Sequence, residues 1–205
     1  YAIGSTYALN LTDRFSVGIN GKYVQQSIAN SHAKGIAIDI GTLFITPFGF
    51  TLGTSISNFG PKLRMTGDDL LIGADVDENI DGNNESVTGV LSTDYFDLPL
   101  VLRIGVSDQF QLGPRNQIVI SADAISPNDN ANYINAGLKL QLLDGLISLY
   151  AGANSLFLEN AESEFSLGGG ITIPQILNNS LSIHFTHEQM KFLGNSQQLS
   201  ISFNY

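Results

Sequence analysis

Hydrophobic and polar residues alternate with a period of two along almost the whole chain, and stretches with helical period are nearly absent. From Arg14 to Tyr23, Phe15, Val17, Ile19 and Tyr23 share one face, with Ser16, Gly18, Asn20 and Lys22 on the other. Ile36, Ile38 and Ile40 stand against Ala37, Asp39 and Gly41, and Phe50, Leu52 and Ile56 against Thr51, Gly53, Ser55 and Ser57. Leu98, Leu100, Leu102, Ile104 and Val106 alternate with Pro99, Val101, Arg103 and Gly105. The pattern predicts eleven strands, at Tyr1–Leu9, Arg14–Tyr23, Gly35–Leu43, Phe48–Asn58, Leu98–Val106, Gln117–Ile125, Tyr133–Leu142, Leu146–Ala153, Glu164–Ile173, Leu181–His187 and Gln197–Tyr205. Most are close to the nine to eleven residues with which a tilted strand crosses a bilayer.

Alternation fits two architectures. The apolar face points inward in a soluble sandwich or barrel and toward lipid in a membrane barrel. Composition separates them, because only 14% of the 205 residues are charged, against about 25% in ordinary soluble domains. The polar faces are mostly Ser, Thr, Asn, Gln and Gly; their charges are chiefly Lys22, Asp39, Arg103, Asp123 and Lys139. All five fall on the polar side and their signs can balance, as in an enclosed, paired lumen rather than a solvated surface. The fold class is therefore all-β: a transmembrane antiparallel up-and-down β-barrel. The last strand agrees, with Leu199, Ile201, Phe203 and Tyr205 alternating with Ser200, Ser202 and Asn204 and ending on an aromatic.

Connection lengths test this independently. With the C-terminus on the periplasmic side, the external connections are Val24–Lys34, Phe59–Asp97, Ser126–Asn132, Asn154–Ser163 and Glu188–Ser196. The opposite set is Asn10–Asp13, Phe44–Pro47, Ser107–Asn116, Leu143–Gly145 and Pro174–Ser180. The external set is longer on average, as membrane barrels require, although Ser107–Asn116 is long for its side. The same count starts Tyr1 at the external end of a descending strand. Since bacterial single-chain barrels have an even number of strands, residues 1–205 are expected to form a single outer-membrane barrel domain lacking its N-terminal strands.

Charge and composition exclude other classes. Lys and Arg total 9 against 19 acids, for a net charge of −10, so nucleic acid would be repelled. There is no Cys, hence no disulfide framework, zinc–thiolate cluster or thiol nucleophile. No run of about 18 apolar residues exists to form a spanning helix. No nucleophile elbow is visible, and nothing places a Ser, a His and an acid together, so no catalytic residues are assigned and the chain is not read as an enzyme. Of the three histidines, His184 and His187 point to opposite faces of a strand and cannot chelate one ion without a bulge; they and His32 read as polar lining and loop residues. Gly168-Gly169-Gly170 lies in a strand with no helix after it, so close backbone packing or a bend is favoured over a phosphate loop.

The 59–97 segment is too long for an unstructured connection and holds nearly half of all the acids, so it is expected to be a functional acidic extracellular loop. Within it, Asp77-Glu78-Asn79-Ile80-Asp81-Gly82 matches the opening of a calcium loop, with Glu85 at the ninth position. Asp77, Asn79, Asp81 and Glu85 are thus candidate Ca2+ ligands. The twelfth position is Thr88, without the bidentate Glu, and a solvated acidic loop tip is the more ordinary reading. Beyond this Ca2+ no cofactor is expected. Pairing of Arg103 with Asp39 or Asp123, together with Lys22 and Lys139, reads first as structural cross-bracing and second as the lining of a permeation path.

Several stretches resemble a known family. Asp13-Arg14-Phe15-Ser16-Val17-Gly18, Gly21-Lys22-Tyr23 and Ile38-Asp39-Ile40-Gly41-Thr42 are similar to the PorV/PorQ family. So are Ile56-Ser57-Asn58-Phe59-Gly60-Pro61-Lys62, Leu98-Pro99-Leu100 with Arg103-Ile104-Gly105, Pro127-Asn128-Asp129-Asn130 and Leu193-Gly194-Asn195. That family is related to the FadL-like outer-membrane barrels of fourteen strands, which implies three strands ahead of those counted here. The resemblance implies an outer-membrane component of the type IX secretion system, receiving secreted proteins by their C-terminal domains and passing them on. Implied partners are a secretion translocon, cargo proteins, and outer-membrane lipid and lipopolysaccharide, with external loops, mainly 59–97, as the contact surface. Two other readings stay open: a FadL-like channel for hydrophobic small molecules, and a structural or adhesive surface barrel.

Overall fold

A computed structural model describes residues 1–74, 87–159, 161–176, 179–192 and 194–204. Eleven long strands form one sheet in chain order. They are β1 (Ala2–Thr12), β2 (Phe15–Ile28), β3 (Ser31–Ile45) and β4 (Thr51–Phe59), followed after a long excursion by β10 (Val101–Gln111), β11 (Gln117–Pro127), β12 (Tyr133–Leu142), β13 (Ile147–Leu156), β14 (Ser163–Ile176), β15 (Asn179–Met190) and β16 (Ser196–Asn204). The excursion carries β5 (Leu63–Arg64), β6 (Thr66–Gly67), a short 3-10 turn at Asp68–Leu70, β7 (Leu71–Ala74), β8 (Val87–Val90) and β9 (Tyr95–Phe96). All eleven expected strands are present, and there is no α-helix among the described residues.

Two differences from expectation concern where strands end. Residues 24–34 are not an open connection: β2 runs to Ile28, β3 starts at Ser31, and only Ala29 and Asn30 turn, with Ala29 at φ 48°. Gln25, Gln26, Ser27 and Ser31 interrupt the apolar alternation without breaking the ladder, because backbone pairing does not need an apolar face. Likewise β10 continues to Gln111, which shortens the connection that was long for its side to residues 112–116.

By internal contacts the chain divides into two units. One comprises Tyr1–Ala8, Gly18–Ile40 and Ile56–Leu100; the other comprises Leu9–Val17, Gly41–Ser55 and Val101–Tyr205. In the second, β10 to β16 pair antiparallel with directly opposed apolar residues such as Ile120 with Leu138, Ile171 with Ile183, and Phe185 with Leu199. These pairs do not make a core. Ile104, Ile120, Leu149, Ile171, Phe185 and Leu199 are all exposed, and among the described residues only Ala33, Ala37, Leu63, Leu98, Ile125 and Ala161 are buried hydrophobics. Apolar residues turned outward on this scale need an apolar surrounding, so the exposed face is the one built for lipid.

The buried hydrophobics of the first unit lie on the opposite, polar side of the strands. Ala33, Ala37, Leu63 and Leu98 form one cluster, with Val24, Met65 and Phe96 packed against it. Ala33 and Ala37 share the face of Asp39 on β3, so Leu63, Met65, Phe96 and Leu98 are the 59–97 segment folded back over that face.

Candidate functional site

The fold-back begins where β4 ends. Asn58 takes a left-handed φ of 64°, a conformation Asn tolerates better than most residues. Its backbone N–H donates to Asp39 Oδ1 at 2.7 Å, and its side-chain amide donates to the Pro99 carbonyl at 2.7 Å. Asp39 also accepts from Asn20 Nδ2 at 2.9 Å and from Lys22 Nζ at 2.8 and 2.9 Å. Asn20 in turn accepts from the Thr6 hydroxyl at 3.2 Å. One carboxylate thus joins β2, β3 and the end of β4, while Asn58 ties the outgoing arm of the segment to the returning one. The Lys22 and Asp39 side chains are only 17% and 24% exposed, so each has lost most of its water and depends on the other.

Small residues make the seat. A Cβ at Gly35 would strike the Leu63 methyl, and one at Gly60 would strike the Ile36 carbonyl. Gly35 is therefore the notch that receives Leu63, and Gly60 lets the outgoing chain lie on β3. Next, β5 pairs with β9, setting Leu63 opposite Phe96 and Arg64 opposite Tyr95. Leu63 and Phe96 face the sheet, and the Arg64 guanidinium stacks on the Tyr95 ring at 5.5 Å on the other side. Then β6 pairs with the start of β3, and Asp69 accepts from both the backbone N–H and the side-chain amide of Asn30, at 2.8 and 3.0 Å. The base of the segment is a folded element held on the polar face, not a loop resting in water.

The other charges singled out in the sequence belong to the second unit and take no part in this latch. Arg103 and Asp123 share a stretch of the polar face of β10 and β11. Lys139 sits over the Tyr150 ring at 5.7 Å, and the Tyr150 hydroxyl is 3.1 Å from His184 Nδ1. That contact crosses β14, where a Cβ at Gly170 would collide with the His184 ring; the triple-glycine stretch is a place of close packing. Gly170→Ala is expected to push the ring away from Tyr150 and to cost about 1–3 kcal/mol, read as a lowered midpoint of thermal unfolding in detergent. A second polar group joins Asn154, Ser163 and Glu188, with Asn154 Nδ2 3.2 Å from the Glu188 carboxylate. The calcium candidates Asp77, Asn79, Asp81 and Glu85 lie outside the described residues. Among the described residues no three His, Asp or Glu gather closely enough to hold a metal ion.

Sequence reasoning singled out Lys22 and Asp39, which the structure pairs, but missed Asn58, whose N–H donates to Asp39. The signal was present as Asn-Phe-Gly-Pro, a left-handed-tolerant residue followed by a small one and a fixed φ. The same reasoning missed Gly35, which carries no local signal of the side chain that fills it.

No family model matches this chain, and no curated protein matches it. Among solved structures, the crystal structure of a Pseudomonas aeruginosa FadL homologue superposes with a TM-score of 0.50 at 13% sequence identity, covering 98% of this chain. The chain spans 64% of the length of that protein. The likeness is one of fold: an all-β antiparallel sheet of the FadL-type outer-membrane barrel.

Proposed function

We propose that this chain is an outer-membrane barrel of the type IX secretion system, similar to PorV, which engages secreted proteins and their translocon through its 59–97 segment. The observation that carries the reading is the latch. Lys22, Asp39, Asn58, Gly60, Leu98 and Pro99 come from four separate stretches that resemble the PorV/PorQ family, and they meet at one place. Residues that hold the base of a long segment so firmly suit a segment that must present a defined surface to a protein partner. The acidic character of that segment suits recognition of a polar or basic protein face. The fold supports a bacterial outer-membrane location, where the exposed apolar side of the strands would meet lipid.

A second reading is a FadL-like channel for hydrophobic small molecules. It is favoured by the apolar cluster of Leu63, Leu98, Met65 and Phe96 on an otherwise polar face, and weakened by Leu63 already filling the Gly35 notch. The deciding experiment is a pull-down of the full-length protein from mild-detergent extracts with mass spectrometry of what co-purifies. Recovery of a giant barrel translocon and of proteins sharing one C-terminal domain is expected. A lone barrel carrying a hydrophobic ligand overturns the secretion reading and selects the second.

A further inference from the structure

In the second unit a hollow of about 310 Å³ opens on the polar face among β3, β4, β10 and β11. Leu43 and Val106 give it apolar wall, and the rest of its lining is polar or glycine. Thr51, Ser55, Ser107 and Ser121 line it with hydroxyls, and Arg103 and Asp123 add one charge of each sign. Register explains the grouping, since Gly105 lies opposite Asp123 and Ser107 opposite Ser121, while Arg103 is two residues before Gly105 on the same face. A Cβ at Gly105 would collide with the Asp123 carboxylate, so this glycine makes room for the acid on the polar face.

The two charges do not satisfy each other. Among the described residues neither Arg103 nor Asp123 has an ion-pair or hydrogen-bond partner, whereas Lys22 and Asp39 on the same sheet are fully paired. Exposed Arg103 and half-buried Asp123 both line the hollow with no partner among the described residues, amid hydroxyls that both donate and accept, so both charges are open to a guest. A guanidinium fork is completed best by a planar carboxylate, and a carboxylate by an N–H or O–H donor. A solute carrying both groups completes the site in one step.

We propose that this hollow binds small zwitterionic solutes of the amino-acid class, with the solute carboxylate on Arg103 and its ammonium on Asp123. The hydroxyls of Thr51, Ser55, Ser107 and Ser121 take the remaining hydrogen bonds, and the volume is ample for one such molecule. No residue of the 59–97 segment lines the hollow, so the proposal stands or falls independently of the secretion reading.

The test is saturation-transfer NMR on the full-length protein in detergent micelles, titrated with alanine and, separately, with acetate and methylammonium. Alanine is expected to bind more tightly than either fragment. Arg103→Gln is expected to weaken alanine and acetate alike by about tenfold or more, the loss of one charge-assisted pair. Arg103→Lys should recover part of that loss, and Asp123→Asn should abolish the preference for alanine over acetate while leaving acetate bound as well as before or better. Each variant is first shown to keep the wild-type circular dichroism and thermal midpoint; if Arg103→Gln fails to fold, Arg103→Lys and Asp123→Asn decide alone. Alanine binding unaffected by the Arg103 and Asp123 substitutions, or no alanine binding by the wild type, overturns the proposal.

Discussion

Replacing Asp39 with Ala is expected to make the base of the 59–97 segment cleavable by trypsin at Lys62 and Arg64 under conditions in which the wild type resists. The substitution removes the acceptor of the Asn58 N–H, the Asn20 amide and Lys22 together. It leaves Lys22, already 17% exposed, without its counter-charge. Loss of a paired charge in such surroundings costs about 2–4 kcal/mol, so the population of released segment, and with it the cleavage rate, should rise about thirtyfold or more. Adding Lys22→Met in the Asp39→Ala background should return part of the protection, because it removes the orphaned charge rather than restoring the contact. Unchanged resistance in Asp39→Ala means that the apolar cluster around Leu63 holds the segment without help from the latch.

The second large effect tests the outward apolar face. Ile104→Arg is expected to lower the stability of the protein folded into lipid bilayers by about 2–4 kcal/mol, measured by urea titration of folding into liposomes. Ile104 is 52% exposed, so in a water-soluble sheet the same substitution would fall within about 0.5 kcal/mol of neutral. Gln109→Arg is the matched control: it adds the same charge to the polar side of β10, where Arg103 already sits, and should be tolerated. Equal, small effects at both positions would remove lipid from the account of the apolar face.

The strands were legible in the sequence because each sits between two chemically different surroundings, and a period of two records that difference at every residue. Ile36, Ile38 and Ile40 alternating with Ala37, Asp39 and Gly41 state the orientation of β3 without reference to anything distant. The ends of strands were less legible. Between Gln25 and Ser31 both faces are polar, so the alternation vanishes although the backbone ladder runs on to a two-residue turn. The fold-back of the 59–97 segment was not legible at all. Leu63 with Met65 and Phe96 with Leu98 are each two residues apart, runs too short to read as strands, and their burial depends on a surface made by Val24, Ala33 and Ala37 far away in the chain. Asp39 was visible as a charge where charges are rare, but its role as the meeting point of three donors required Asn58 to leave the strand with positive φ.

Three glycines on the polar side each make room for one particular neighbour: Gly35 for Leu63, Gly105 for Asp123 and Gly170 for His184. Each pair behaves as a lock and its key, since neither member can grow unless the other shrinks. Substitution at these places should therefore be inherited in couples. Among relatives of this chain, a larger residue at the position of Gly35 should be accompanied by a smaller one at Leu63, and likewise for the other two pairs, while either change alone should be rare. The pairs span separations from 14 to 28 residues along the chain, so an evolutionary record of linked changes would report the three-dimensional arrangement without any structure being determined.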